Sequence, residues 1–343
     1  MVMDTLRFAV AGTGSIIREF HLPVLLKNPR AEVVAAANLH PRSLDALVSD
    51  FGIPTSYNDF DQLAGDPNVD AVVIGLPNYL NATVAIKMLR AGKHVLCEKP
   101  MARTVEEAKR MLRASEDSAK TLMIAHVWRS NEEVRWLREL VTSGILGSIF
   151  KCKAHAVSQS WGPLAGSWRV KAELSGGGVF ADVGIHAVDT LAFLFGDRVH
   201  PIKLFAAKGN FFQKLEVEDT ASVMMQYDNG MTIWIEAGWY HNFANSPHGA
   251  IEVFGTKGYA RLFPTEFHYE SEGKRIQDRP FGPPTGPHID MKMYATQIDD
   301  FIQCALAGRA PLCDGRSGLE NMKIMEAVYE SATTGQVVAL HRP

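Results

Sequence analysis

The feature that most constrains this chain is an alternation running from Leu6 to about Val127. Short apolar runs (Leu6 to Ala11, Glu32 to Ala37, Ala71 to Leu76, His94 to Cys97, Leu122 to Val127) alternate with segments whose apolar residues recur at helical intervals, such as Asn81 to Arg90 and Val105 to Ala114. Continuous apolar runs joined by helices predict a parallel sheet covered on both faces. The first run passes at once into Gly12-Thr13-Gly14-Ser15-Ile16-Ile17. Glycines there let a strand turn sharply and its backbone approach a pyrophosphate, while the following helix offers unpaired N–H groups and a positive dipole end. The third glycine of that fingerprint is replaced by Ile17. The motif takes its weight from its place between the first strand and a helix.

The second run ends at Asn38, where such folds often carry an acidic residue for the ribose hydroxyls. Asn38 can bond a ribose without repelling a 2′-phosphate. His40 and Arg42 follow, and a guanidinium can pair with that phosphate. The expected cofactor is NADP or NAD, with NADP favoured. The alternative is that His40 and Arg42 decorate a solvated turn.

Past Val127 the pattern changes. Helices are expected over Asn131 to Thr142, ended by Gly144, and over Asp182 to Phe195. Strand-like runs then follow at Pro201 to Ala207, Ala221 to Tyr227, Met231 to Trp239 and Ala250 to Phe254, with Asp228-Asn229-Gly230 as a hairpin signal. Gly282-Pro283-Pro284-Thr285-Gly286-Pro287 reads as a loop, and amphipathic helices follow near Met291 to Leu306 and Gly318 to Ala332. The fold class is α/β. A Rossmann doubly wound parallel sheet is expected over residues 1–125, and an α+β domain with a large, mostly antiparallel open sheet over 126–343. A length of 343 residues accommodates two such domains.

Two segments carry chemistry. In Gly92-Lys93-His94-Val95-Leu96-Cys97-Glu98-Lys99-Pro100 a strand runs into a lysine directly before a proline. Proline restricts the backbone of Lys99 and can admit a cis bond. At the carboxyl edge of a parallel sheet, the ammonium can orient a hydroxyl and stabilise a developing alkoxide. In Ser175-Gly176-Gly177-Gly178-Val179-Phe180-Ala181-Asp182-Val183-Gly184-Ile185-His186, the carboxylate and the imidazole stand four apart and share a helix face. A carboxylate beside an imidazole orients it and raises its basicity, which suits a general base. The glycine run is expected to let backbone approach a ligand closely. The bland alternatives are a solvated strand-end lysine, a capping Asp182 and a core His186.

The rest of the chain narrows the partners. A net charge of −3 without a basic cluster excludes a field that would gather nucleic acid. The N-terminus lacks a signal-peptide pattern and no apolar run reaches membrane-spanning length, so neither secretion nor a membrane is expected. Cys97, Cys152, Cys304 and Cys313 share no metal-ligand spacing and are too few for a disulfide framework. The expectation is a cytoplasmic protein without a metal.

Together these segments resemble the glucose–fructose oxidoreductase and inositol dehydrogenase family (Gfo/Idh/MocA) over nearly the whole chain. The matching pieces are Gly12-Thr13-Gly14 with His21-Leu22-Pro23, Val69 to Ile74 running to Pro77-Asn78, Gly92 to Pro100, Gly176 to His186, and Tyr329-Glu330-Ser331 to Gly335. Glu98-Lys99-Pro100 is the most specific of them. The resemblance implies hydride transfer between a secondary hydroxyl of a sugar, sugar derivative or inositol and a nicotinamide. It makes His186 the base, Asp182 its partner and Lys99 the group that holds the hydroxyl. Cofactor contacts are expected at Gly12, Gly14, Ser15, Ile16, Asn38, Arg42, Leu76, Pro77, Asn78, Glu98 and Lys99, although Ile17 and Asn38 depart from the family's commonest cofactor signature. Trp128, Arg129, Trp168 and Arg169 are candidates for ring binding beside Lys99, Asp182 and His186. The family's open sheet implies a homodimer or homotetramer. Asn81 stands where many members have histidine. Two alternatives stay open: glycosidic cleavage with a recycled cofactor, and a non-catalytic dinucleotide-binding regulator.

Overall fold

The computed structural model describes residues 5–158, 162–241, 249–271, 273–282 and 290–340. Beyond Gly282 the expected proline-rich loop lies outside the described residues. The chain divides into two compact units, Met1–Val127 with Asp290–Met322, and Trp128–Ile289 with Lys323–Pro343.

The first unit is built on strands β1 (Leu6–Ala11), β2 (Ala31–Ala37), β3 (Thr55–Tyr57), β4 (Ala71–Ile74), β5 (His94–Cys97) and β6 (Leu122–Ile124). All pair in parallel, in the order β3-β2-β1-β4-β5-β6. Strand order reverses between β1 and β4, so their carboxyl ends open the crevice where such sheets bind ligands. Phe8, Ala9, Val10 and Ala11, with all four residues of β4, are fully buried. This is why these strands read as unbroken apolar runs rather than alternating ones. The run from Leu122 leaves the sheet after Ile124 and turns into a short 3-10 segment, Val127–Ser130.

Asp290–Met322 returns to this first unit, which an uninterrupted second domain after residue 125 does not anticipate. Apolar contact explains the return. The helix Met291–Ala307 sets Phe301 against Phe8, ring centroids 6.0 Å apart, and Tyr294 stacks on Phe20 at 4.6 Å. Asp314 bridges Met123 beside β6.

The second unit carries β7 (Ile149–Val157), β8 (Pro201–Gly209), β9 (Thr220–Tyr227), β10 (Thr232–Gly238), β11 (Ala250–Gly255), β12 (Gly258–Arg261), β13 (Glu266–Ser271), β14 (Lys274–Asp278) and β15 (Val338–Ala339). Their order is β14-β13-β12-β11-β7-β10-β9-β8-β15, antiparallel except where β10 runs parallel to β7. Burial alternates along β9 and β10: Ala221, Val223, Met225, Ile233 and Ile235 face the core while Ser222, Met224 and Trp234 face out. Helices Glu132–Ser143 and Ile185–Phe195 pack on each other, the latter also against β7. Asn131 Oδ1 caps the first of these by accepting from the N–H groups of Glu133 and Val134, and Gly144 ends it at φ +76°. The stretch Ala172–Phe195 is long and apolar enough to cross a bilayer, contrary to the sequence expectation. Of its most apolar 18-residue window 89% is buried inside the protein, which marks a core element.

Candidate active site

At the end of β1, Gly12 has φ +111° and sits so close to the end of β4 that a Cβ would lie 2.3 Å from the Gly75 carbonyl oxygen. Its N–H donates to Ala37 O and Gly75 N–H donates to Ala11 O, which laces three strand ends together. Gly75 in turn accommodates Ile17: a Cβ on Gly75 would fall 2.6 Å from Ile17 Cγ1. The bulk that Ile17 adds in place of the fingerprint's third glycine is thus accommodated by a glycine across the contact. A Cβ on Gly14 would meet nothing within 4 Å, so the turn faces open space. Ser15 precedes the helical run Ile16–Lys27 and makes no side-chain cap of its own. An open glycine turn at a helix N-terminus fits a diphosphate.

Asn38, 8% exposed, donates from Nδ2 to Thr13 Oγ1 at 2.9 Å, which ties the end of β2 to the glycine turn. His40 is the N-cap residue of helix Pro41–Phe51, and Arg42 is exposed in its first turn. Leu76 and Asn78 are buried after β4, and Pro77 precedes helix Asn78–Arg90.

Glu98-Lys99-Pro100 follows β5, with a cis Lys99–Pro100 bond. Glu98 Oε1 lies 2.8 Å from Nε2 of the fully buried His21, and Glu98 Oε2 accepts the Lys99 N–H at 3.2 Å. His21 also stands edge-on to Tyr294 at 5.4 Å. Glu98 therefore latches the turn that carries Lys99 to the helical run that follows the glycine turn. Asn81, fully buried, donates from Nδ2 to the carbonyls of Pro100 at 3.1 Å and Glu98 at 3.4 Å. The departure from histidine at this position still supplies a donor that fixes the backbone on both sides of Lys99. Lys99 itself is partly exposed.

In the second unit the glycine run meets protein rather than a ligand. A Cβ on Gly177 would fall 2.1 Å from Tyr329 Oη, and one on Gly178 2.1 Å from the Glu218 carbonyl oxygen. The Glu218 carboxylate accepts from the N–H groups of Gly178 and Phe180, and Tyr329 donates to it at 2.9 Å. Tyr329 Oη also accepts from Ala181 N–H at 3.2 Å. Burial pushes the Glu218 carboxyl above its usual range, against the pull of these bonds. Glu218 is the residue that sequence reasoning missed. In the sequence Tyr329 stands out only as part of a segment that resembles the family.

This clamp holds the start of the helix that carries Asp182 and His186. Its first turn, Phe180–Gly184, is a π turn that leads into Ile185–Phe195. Such turns recur at functional sites. Asp182 Oδ2 accepts the indole N–H of Trp239 at 3.2 Å. His186 stacks on Trp128, ring centroids 5.2 Å apart and planes 17° from parallel. Arg129 grips Asp189 through Nε and Nη2 at 2.7 to 3.0 Å, the pair 7% and 1% exposed. A guanidinium so held braces the helix. Trp168 and Arg169 occupy a short turn capped by Ser167, both partly exposed, with the Arg169 guanidinium 4.6 Å from the centre of the Trp168 ring.

A doubly wound parallel sheet with an open glycine turn at its crossover defines a dinucleotide-binding protein. Residues 6–126 match the model of an oxidoreductase family with an NAD-binding Rossmann fold, and residues 138–340 match that family's C-terminal alpha/beta domain. The chain belongs to the Gfo/Idh/MocA oxidoreductase family, and it is an NAD(P)-binding dehydrogenase. D-glucoside 3-dehydrogenase of Escherichia coli (strain K12) is 26% identical over 359 residues, 99% of each chain. The NADP(+)-dependent D-xylose 1-dehydrogenase 2 of Haloferax volcanii is 27% identical, over 97% of this chain and 99% of its own. Among solved structures, the aldose-aldose oxidoreductase of Caulobacter crescentus, complexed with glycerol, superposes with a TM-score of 0.84 at 26% identity, over 98% of this chain and 100% of its own.

Proposed function

We propose that this chain oxidises a secondary hydroxyl of a sugar, a sugar derivative or an inositol, with NADP or NAD as the acceptor. The observation that carries this reading is the preorganised pair on one helix, Asp182 bonded to Trp239 and His186 held against Trp128. A fixed carboxylate one turn from a fixed imidazole is what a general base for a hydroxyl proton requires.

A bound nicotinamide would take the hydride, and the remaining work falls to side chains of this chain. His186 removes the hydroxyl proton, and Asp182 orients and stabilises the protonated ring. Lys99, aimed by the backbone that Asn81 and Glu98 hold, positions the hydroxyl and stabilises the alkoxide as charge develops. Gly12, Gly14, Ser15 and Ile16 cradle the diphosphate, with Leu76, Pro77, Asn78 and Glu98 lining the crevice. Asn38 and the exposed Arg42 favour a 2′-phosphate and hence NADP. Trp168 and Arg169 offer a ring face and forked donors to a polyol. The relatives' named substrates, a glucoside and a xylose, lie in the same chemical class.

Phe205, Met224 and Trp234 are exposed and directly paired across β8, β9 and β10, an apolar row on the open sheet face that suits a second copy of the chain. A cytoplasmic homodimer or homotetramer is the proposed state, checked by solution mass.

The test is a panel of glucosides, D-xylose and myo-inositol at alkaline pH with both cofactors, followed by reduced-cofactor absorbance. His186→Ala should lower turnover about 10²–10⁴-fold with cofactor affinity intact. Normal turnover in that variant overturns the assignment. Release of free sugar without net absorbance change replaces dehydrogenation with redox cleavage.

A further inference from the structure

We infer that Trp128 is a positioning residue for His186: its indole fixes the plane of the imidazole and so the direction of the nitrogen that takes the substrate proton. The inference rests on His186 acting as the base.

The two rings lie nearly parallel at a centroid distance that corresponds to an offset stack. The final torsion of a histidine is broad and roughly two-fold, so an imidazole without a neighbour on its face samples many planes. A flat partner restricts it. The indole can serve because it is itself fixed on several sides. A Cβ on Gly249 would fall 2.3 Å from Trp128 Cη2, so only a glycine, here at φ +86°, leaves the indole its place. Phe263 stands edge-on to the indole at 6.2 Å.

The next residue completes the grip. Arg129 holds Asp189, and Asp189 stands three residues after His186 on the same helix, so it shares that helix face. Two consecutive residues, Trp128 and Arg129, therefore hold two points one turn apart, the reactive ring and an anchoring carboxylate. Asn131, just beyond, caps helix Glu132–Ser143, which packs on the helix of His186. The indole is 2% exposed and its contacts are already made, so it has little face left for a sugar ring. This assigns Trp128 a role distinct from ring binding.

A base misplaced by about an ångström can lose on the order of 10²-fold in rate. Trp128→Leu, which removes the flat face but keeps an apolar side chain, should lower kcat about 10- to 100-fold with KM for the cofactor unchanged. Trp128→Phe keeps a flat face and should recover most of that loss. A merely structural tryptophan would not discriminate between the two by ring planarity. An activity-independent readout comes from the imidazole carbon-bound protons of His186 in protein labelled at histidine, assigned by their disappearance in His186→Gln. Ring current from the indole should displace them in the parent and in Trp128→Phe, and the displacement should be lost in Trp128→Leu.

Loss of the displacement together with loss of kcat in Trp128→Leu, and retention of both in Trp128→Phe, supports the assignment. A displaced signal that is lost while kcat stays unchanged overturns it, as does a His186 signal indifferent to both substitutions. If Trp128→Leu does not fold, Trp128→Phe decides alone: a displaced signal with near-parent kcat supports the role, and parent kcat with no displacement overturns it. An active His186→Gln enzyme sinks the catalytic reading and this inference with it. An inactive His186→Gln beside a fully active Trp128→Leu sinks only the inference.

Discussion

Trp239 holds Asp182 by a hydrogen bond from its indole N–H at 3.2 Å, and its own backbone N–H is anchored on the Asp219 carbonyl at 2.9 Å. The carboxylate is thus fixed by the sheet, since Trp239 directly follows β10, and not only by the helix that carries it. Hydrogen bonds to charged groups contribute about 1.5–3 kcal/mol. Trp239→Phe should therefore keep an aromatic ring in the core while removing the donor, and lower kcat by about tenfold. Steady-state kinetics check this beside an unfolding curve, and an unchanged kcat in a folded variant removes Trp239 from the site.

The glycine run makes a second expectation concrete. Glu218→Gln trades an acceptor of several N–H groups for an amide that must turn a donor toward one of them. An unsatisfied buried polar group costs about 1–3 kcal/mol. Denaturant unfolding should show a loss of that size. Gly177→Ala should be at least as harmful, because its Cβ would collide with Tyr329 Oη. A Gly177→Ala protein as stable as its parent would show that the clamp is not closed in solution.

The parallel strands were legible because their residues are buried on both sides, and the period of the second sheet was legible because only one side is. What was not legible is long-range. Thr55–Tyr57 is a short, mostly exposed strand without an apolar run, so nothing local announces it. Ile17 breaks the fingerprint locally, and its compensation, Gly75, lies far along the chain. Arg129 was visible as a guanidinium, but its partner Asp189 lies 60 residues away and no spacing rule links them. The glycines before Asp182 are expected to admit a ligand, but protein packs against Gly177 and Gly178 instead. What approaches them, Tyr329 and Glu218, comes from distant parts of the chain.

Cofactor choice offers a third expectation. Asn38 directly follows β2 beside the glycine turn and Arg42 lies exposed just past it. Asn38→Asp should weaken NADP by placing a carboxylate against its 2′-phosphate, while leaving NAD bound or improved. Arg42→Ala should weaken NADP alone. A lost exposed ion pair is worth about 0.2–1 kcal/mol, so the second effect should be only a few-fold. Fluorescence titration with each reduced cofactor measures both. Unchanged affinity for both NAD and NADP in Arg42→Ala would assign Arg42 to a solvated turn.

The last expectation concerns pH. Burial, reinforced by the Lys120 cation, depresses the His94 imidazole from its ordinary 6.5 to about 4. Its Nδ1 accepts the Thr121 N–H at 3.2 Å, a bond that needs the unprotonated nitrogen. In the unfolded chain this histidine takes a proton once pH falls through about 6.5, while in the folded protein it does so only near 4. The unfolded state therefore binds more protons across that interval. Stability contributed by neutral His94 is fully present above about 6.5 and is lost as pH falls toward 4. His94→Gln can still accept from Thr121 but does not titrate. It should be less stable than the parent at pH 8 by some fixed amount, and that gap should narrow as pH drops, because only the parent loses the imidazole's contribution. Thermal melts of both proteins across the interval measure the difference, in which the acid sensitivity of the carboxylates cancels. A gap that stays constant from pH 8 to pH 4 would mean that His94 is protonated in the fold as easily as in water.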